Sequence, residues 1–320
     1  MNTIERIDLH LPKNWNAMTI VELETVASIF VSAQRKSTRR RPMNMDEVKV
    51  EVFLALTELE VLETANPAKP VEEQYIVVHR KGHDERLTLY LWQIHYWMQE
   101  NLKWLDESPT LLRFPYPTET RWSWRGRHKY EGPSALMQNF QWRQYRLAGE
   151  YMAYYVSEEN RLAQMKAQGE ASDADLLKQV RAVNRAKGMF LATIFNRKIK
   201  YVDTETKLVM RGFNYVSWQS MKNLHDFKNY PDYKFQCILF WWVGTMNWLQ
   251  KKYPKVFKKS STKGQKQSNP LEVYTRTTAT MEKYLGINEE EMNRELYTNV
   301  LQHLQDMMDE SDRMKELNKK

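Results

Sequence analysis

The chain has 320 residues, of which 42% are hydrophobic, enough to bury a core in one large domain or two ordinary ones. Its 10 Gly and 11 Pro are too few for a collagen-like, linker-dominated or turn-rich all-β chain. The formal charge of +8 permits contact with nucleic acid without implying it, and the single cysteine, Cys237, excludes an intrachain disulfide and a cysteine-based metal cluster.

The first 66 residues are predicted to form an N-terminal arm followed by two helices. Thr19 and Glu22 have the spacing of a capping box, in which each side chain accepts a hydrogen bond from a backbone N–H of the other residue. The second helix begins near Asp46, a good N-cap, and Asn66-Pro67 ends it. Its apolar residues recur every three to four positions, which is helical periodicity; they are Val52, Leu56, Leu59 and Leu62.

Two short β-hairpins are predicted further along the chain. The first lies near residues 75–90, where two β-branched or aromatic runs flank a turn at Gly82. The second lies near residues 199–210, where Thr204-Glu205-Thr206 separates two such runs. Residues 109–134 carry four prolines and are predicted to be the least regular stretch.

Helices account for most of the remaining chain. They are predicted near residues 91–106, 134–166, 173–195, 214–227 and 232–252. Residues 258–269 contain no apolar side chain and are predicted to be a linker, followed by two helices over 270–285 and 288–317. We therefore expect a mainly α fold with a core domain over 1–257 and a C-terminal helical module over 270–320.

Aromatic residues make up 12% of the chain and are concentrated in part of it. Sixteen of the 66 residues from Tyr90 to Tyr155 are aromatic, about twice the average of the chain. A helix with large apolar groups on two faces is either enclosed by the core or shared between the core and a partner, and the sequence leaves both interpretations open. On the second interpretation the candidate contact residues are Trp92, Trp97, Trp104, Trp241 and Trp248.

A second pattern interleaves basic and aromatic residues. In residues 121–130, the cations could neutralise phosphates while the rings stack on bases; the alternative is a surface loop whose tryptophans pack into the core. The basic cluster at 35–41 is favoured as a solvated helix end, where cations suit the helix dipole. Nucleic-acid binding is thus the alternative hypothesis, with candidate contact residues Arg39, Arg40, Arg41, Arg121, Trp122, Trp124, Arg125, Arg127 and Lys129.

No pattern of catalytic or cofactor-binding residues stands out. Motifs for phosphate loops, dinucleotides, serine hydrolases and zinc proteases do not occur. His79 and His83 fall across a turn rather than on one helical face, so they do not predict a metal site. The longest apolar run, Cys237 to Leu249, has 13 residues, against roughly 20 needed to span a bilayer. We expect neither an enzyme, a cofactor nor a metal, and no membrane partner.

Five short segments form the last pattern: LPKNWNAMT at 11–19, GPSALMQNF at 132–140, WW at 241–242, YPKVF at 253–257 and MEKYLGI at 281–287. The first four resemble segments of a protein family encoded in phage and prophage gene clusters of Bacteroidetes-type bacteria, and the last is similar in character to the tails of phage tail assembly chaperones. The resemblance implies a virion-assembly or virion-associated protein, located in the cytoplasm of the bacterial host or in the virion. It implies a partner of the phage tail or tape-measure type, or a second copy of the chain, and no site residues.

Overall fold

The computed structural model describes residues 11–37, 42–82, 86–123, 126–169, 171–197, 199–202, 209–212, 224–257 and 270–318. The chain divides into two compact units. The first unit comprises Met1–Pro115 and Pro231–Thr245, and the second comprises Tyr116–Tyr230 and Met246–Lys320. The fold is mainly α with small antiparallel sheets, as predicted.

The helices of the described residues follow in chain order. They are α1 (Ile20–Lys36), α2 (Met45–Leu56), α3 (Leu91–Asn101), α4 (Trp142–Gln168), α5 (Asp173–Ile194), α6 (Asp232–Lys252), α7 (Pro270–Leu285), α8 (Glu289–Arg294) and α9 (Tyr297–Leu317). Helix α6 begins in the first unit and ends in the second. The helix predicted near 214–227 is described only over its last four residues, which are helical.

The first unit is built around α1, whose start is fixed by the predicted capping box. The Glu22 N–H donates to the Thr19 hydroxyl, and the Thr19 N–H donates to the Glu22 carboxylate at 2.7 Å. Helix α1 then buries one apolar face, including Val26 and Phe30, and the Phe30 ring meets Phe240 of α6 edge-on at 5.3 Å. Burial of this face holds α1 against the first part of α6.

A three-stranded antiparallel sheet completes the first unit. Its strands are β1 (Leu59–Glu63), β2 (Tyr75–Arg80) and β3 (Arg86–Tyr90), in the spatial order β1-β2-β3. The hairpin predicted near 75–90 is therefore confirmed. The helix predicted to continue through Leu62 is wrong: it ends at Leu56, Glu58 takes a positive φ of 57°, and Leu59 pairs with Arg80. Pairing with β2 outweighs the helical periodicity of β1.

The second unit contains a hairpin in the stretch predicted to be irregular. Strands β4 (Thr118–Ser123) and β5 (Gly126–Glu131) pair in register, and the short strand β6 (Asn196–Arg197) adds to the free edge of β5. The hairpin predicted near 199–210 is present as β7 (Ile199–Val202) and β8 (Val209–Gly212).

Helices α4 and α5 form a long antiparallel pair in the second unit. Gly169, at a φ of 72°, ends α4, and the Ser172 hydroxyl caps α5. The Gln144 side chain donates to the Thr193 carbonyl at one end of the pair, and Gln179 donates to the Glu158 carbonyl at the other. The two helices therefore contact each other over most of the length of α5.

The C-terminal helices α7, α8 and α9 belong to the same compact unit as α4. The backbone N–H of Trp142 donates to the Glu295 carbonyl, and the backbone N–H of Tyr297 donates to the Phe140 carbonyl. The Tyr145 and Tyr297 rings stack with their centroids 4.9 Å apart. The compact units thus divide the chain differently from the predicted boundary at residue 257, because long-range packing joins these helices to the middle of the sequence. The predicted linker, 258–269, lies outside the described residues.

Candidate functional site

Four aromatic side chains lie exposed at the junction of β2, β3 and α3 in the first unit. These residues, called the aromatic patch below, have exposed fractions from 36% to 59%; they are Tyr75, Tyr90, Trp92 and Tyr96. Tyr75 and Tyr90 are direct register partners on β2 and β3, with ring centroids 6.2 Å apart. The Trp92 ring stacks against Tyr90 at 6.4 Å, and Tyr96 lies one helical turn beyond Trp92. Tyr75, Tyr90 and Trp92 thus form a contiguous aromatic surface, with Tyr96 on the same face of α3.

The opposite faces of the same elements hold the patch in place. Ile76 and Leu89 pair with each other on the buried face of the sheet, and α3 buries Ile94 and Met98. Side chains alternate across a strand, so burial of Ile76 and Leu89 turns their neighbours Tyr75 and Tyr90 outward. The aromatic residues are therefore presented by a packed scaffold.

Charged groups border the patch. The Lys69 ammonium lies 5.2 Å from the centroid of the Tyr75 ring, a cation–π contact. Exposed Glu72 and Glu73 lie on a 3₁₀ turn that packs against α3, and the Leu91 N–H donates to the Gln74 carbonyl at 2.9 Å. An apolar centre with a charged rim is the usual organisation of a protein-binding surface.

The other predicted partner-binding tryptophans have different environments. Trp97 is half-buried and stacks on Phe53 at 6.0 Å, and the half-buried Trp104 donates its Nε1–H to the Pro12 carbonyl. Trp248, in the second unit, is half-buried with the Lys252 ammonium 4.9 Å from its ring. Trp97 and Trp104 therefore contribute to packing within the first unit, whereas Trp92 is 54% exposed.

Trp241 does not belong among the predicted partner-binding tryptophans. Its side chain is completely buried, and Phe114 meets its ring edge-on at 4.7 Å. Trp241 is therefore a core residue and has no surface to offer a partner. Helix α6 is enclosed on this face because the segment around Leu111 lies directly against Gly244, one turn further along.

The candidate nucleic-acid residues fall on the hairpin β4–β5 in the second unit. Arg127 and Lys129 are exposed, whereas the next residue, Tyr130, is buried on the other face of the strand. This is the alternation expected for a strand with one buried face. Trp122 is the register partner of Arg127. The remaining candidates Trp124, Arg125 and Arg39 to Arg41 lie outside the described residues.

Arg121 has a structural role rather than the predicted one. Its Nε–H donates to the Asp226 carbonyl at 2.9 Å, and its guanidinium lies 5.2 Å from the centroid of the Tyr230 ring. It is the register partner of His128 and lies on the inner face of the hairpin with it. These contacts hold its guanidinium against residues 226–230 on the inner face, away from the outer face that carries Arg127 and Lys129.

A buried polar cluster anchors that inner face. The Asp226 carboxylate accepts hydrogen bonds from His128 Nδ1 at 2.7 Å and from the Tyr130 hydroxyl. Burial alone would raise the pKa of Asp226, but these two bonds, with the charges of His128 and Arg197, outweigh it and hold the pKa below its usual value. Burial, and then the bond to Asp226, raise the pKa of Tyr130. The cluster fastens the hairpin to the 224–230 segment.

Sequence reasoning missed both Tyr75 and the Asp226 cluster, for different reasons. Tyr75 and Tyr90 stand at the two open ends of the predicted hairpin, so the pairing itself was a usable signal. Asp226 is 98 positions from His128 in the sequence, and no local pattern indicates their contact. Among the described residues, no group of His, Cys, Asp and Glu side chains is arranged to hold a metal ion.

Comparisons with known proteins do not add a family to these observations. No protein-family model, no curated protein and no solved structure matches the chain. Among the described residues, no helix has the length and apolar character needed to cross a membrane.

Proposed function

We propose that this chain is a protein-binding protein that captures an apolar segment of a partner on its aromatic patch, acting in the assembly of a phage particle. The observation that carries the binding role is the exposure of Trp92 and Tyr96, at 54% and 59%, beside Tyr75 and Tyr90. Contiguous exposed apolar surface of this kind marks interaction sites in soluble proteins.

The residue types in the patch support protein recognition. Tyr and Trp are enriched in interface cores, and their substitution by alanine causes some of the largest losses of binding free energy. They bring a large contact area with few rotatable bonds, so ordering them on binding costs little entropy. Among the described residues, the face of α3 that carries Trp92 and Tyr96 is exposed, while Ile94 and Met98 supply the core contacts of the helix. Binding, and not a chemical reaction, is the proposed activity.

The phage assignment rests on the sequence resemblance, chiefly on the segments at 11–19, 132–140 and 281–287. On this proposal the chain works as a tail assembly chaperone in the cytoplasm of the bacterial host. The partner is then a tail or tape-measure type protein, whose apolar segments need cover before assembly. A permanent virion component is the other form of the same proposal.

Affinity purification from cells producing the phage proteins tests the binding role. Tagged wild-type protein is compared with the double variant Trp92→Ala/Tyr96→Ala and with the control Tyr154→Ala/Tyr284→Ala. The control removes two tyrosines that are 39% and 46% exposed but lie outside the patch. The proposal expects a tail protein with the wild type and the control, and loss of at least nine tenths of it with the patch variant. Recovery of the same tail protein by the patch variant would refute the site.

Quantitative proteomics of purified particles separates the two forms of the proposal. A chaperone leaves the particle, so the chain should be present in the cell lysate and at much less than one copy per particle. A fixed, reproducible copy number in particles would replace the chaperone role with a structural one. Failure of wild-type protein to retain any phage protein would overturn the phage assignment itself.

A further inference from the structure

The charge of the chain is divided unequally between the two units. The first unit has 15 Lys and Arg against 18 Asp and Glu, a formal charge of −3. The second has 33 Lys and Arg against 22 Asp and Glu, a formal charge of +11. The modest total of +8 therefore conceals a strongly basic second unit, which favours an anionic partner that the aromatic patch does not address.

Two stretches of the second unit are basic and contain no acid at all. Residues 121–130 have four Lys and Arg, and residues 176–200 have seven. The stretches are far apart in sequence, but the structure joins them, because β6 pairs with β5 and places Arg197 opposite Tyr130 and Asn196 opposite Glu131. Helix α5 leads directly into β6. The described basic residues of the two stretches therefore belong to one compact unit, in a helix and a sheet that follow each other directly along the chain.

The exposed members of this set form an ordered array. Lys178, Arg181 and Arg185 are all exposed on α5, at the i, i+3, i+7 spacing of a single helical face. That spacing covers about 10 Å along the helix axis. Arg127 and Lys129 project from the outer face of β5. We call these five residues the basic array.

Within the described residues, no acidic side chain forms an ion pair with a member of the basic array. No ion pair or hydrogen bond there involves the side chain of any of its five members. Asp226 is engaged by His128 and Tyr130 on the inner face of the hairpin. Glu119 and Glu131 of the same sheet are committed to interactions of their own. The cations are therefore open to an external anion.

We propose that the second unit binds single-stranded nucleic acid through the basic array, as an activity separate from protein capture by the aromatic patch. A linear polyanion is the occupant that matches cations spread along one helical face and one strand of the same compact unit. Trp122 is the register partner of Arg127, so an aromatic and a basic residue type occupy paired positions of the hairpin, a composition that suits a single strand, whose bases are free to stack.

The proposal predicts how steeply the binding affinity depends on salt concentration. Each phosphate neutralised on a single strand contributes about −0.7 to the slope of log K against log salt. Five contacts predict a slope of about −3.5, so affinity should fall roughly 100-fold between 50 and 200 mM salt. Removing two contacts should leave a slope of about −2.1.

Fluorescence anisotropy with a labelled 20-nucleotide single-stranded DNA tests the proposal on the full-length chain. The variants are Arg127→Glu/Lys129→Glu and Arg181→Glu/Arg185→Glu, all at exposed positions. The control Lys81→Glu/Lys103→Glu makes the same change of net charge at exposed positions of the first unit. Each array variant should bind at least tenfold more weakly at 50 mM salt, with the reduced slope, while the control changes affinity less than twofold.

Three outcomes would overturn the proposal. The first is no binding of the oligonucleotide by wild-type protein at 50 mM salt, a condition that does not depend on any variant folding. The second is an equal loss in the control, which would show a response to net charge alone. The third is tighter binding of the corresponding 20-base-pair duplex, which would replace the single strand as the occupant. None of these outcomes bears on partner capture by Trp92 and Tyr96, so the two proposals fail independently.

Discussion

The substitution Asp226→Asn should destabilise the second unit more than the same substitution at any exposed aspartate. Asp226 is 9% exposed, and its carboxylate accepts hydrogen bonds from His128 and Tyr130 at once. A hydrogen bond to a charged group contributes about 1.5–3 kcal/mol and a neutral one about 0.5–1.5 kcal/mol. Both donors reach the same Oδ2 atom, so an asparagine oxygen can keep both bonds, but only in the weaker, neutral form. We expect a loss of about 3 kcal/mol, with the hairpin β4–β5 affected first.

Hydrogen exchange measured by mass spectrometry is the appropriate assay, because it reports each segment separately and does not require both units to unfold together. Peptides covering β4, β5 and residues 224–230 should exchange about 100-fold faster in Asp226→Asn, the rate change that corresponds to about 3 kcal/mol. Peptides from α1 and α2 in the first unit should be unchanged. The matched control is Asp306→Asn, the same chemical change at an exposed position of α9, which should alter stability by less than about 0.5 kcal/mol.

The pH dependence of the same pair of proteins is a second arm of this prediction. The folded pKa of Asp226 lies below its unfolded value, so its contribution is complete above the unfolded pKa of about 3.9 and is lost as pH falls through the folded pKa. The stability difference between wild type and Asp226→Asn should thus be constant from pH 7 to about 5 and shrink below about pH 4. Equal protection of β5 in the variant and the wild type at pH 7 would refute the assigned role of the cluster.

Further predictions concern the first unit. Asp106→Ala should cost about 2 kcal/mol in urea unfolding, since the Lys49 ammonium, 4% exposed, loses the carboxylate at 2.7 Å and keeps only Asp46 at 4.0 Å; a change below about 0.5 kcal/mol would contradict this. Gly244→Ala should lower the melting temperature by several degrees, because the added Cβ would lie 2.5 Å from the Leu111 carbonyl oxygen, and an unchanged melting temperature would show that the segment gives way. The completely buried Cys237 should resist a thiol reagent in the native state and react fully in urea; rapid native labelling would disprove its burial.

Local chemistry explains the elements that the sequence predicted correctly. The capping box of Thr19 and Glu22 starts α1 where expected, and the hairpin near 75–90 forms because two β-rich runs flank a turn. Helix α6, with bounds Asp232–Lys252, agrees with its prediction because apolar residues recur around it. These features depend on residues within a few positions of one another, and the information is therefore present in a short window of sequence.

Partner strands decided the elements that were missed. Strand β1 has helical periodicity, but a hydrogen-bonded neighbour in β2 made it a strand. Strands β4 and β5 lie among prolines, and their alternation was hidden because polar residues occupy both faces, with His128 and Tyr130 turned toward the buried Asp226. A sheet position depends on what lies beside it, which the local pattern does not contain.

The sequence by itself determined a mainly α chain, rich in aromatic residues and mildly basic, with tryptophans on more than one face of two helices. Only the tertiary structure separated them, burying Trp241 in the core and leaving Trp92 exposed beside Tyr75 and Tyr90. It also turned a modest total charge into one acidic and one basic unit and joined two distant basic stretches through the β5–β6 pairing. Exposure and proximity are properties of the whole packed chain, because each depends on residues that are far apart in sequence.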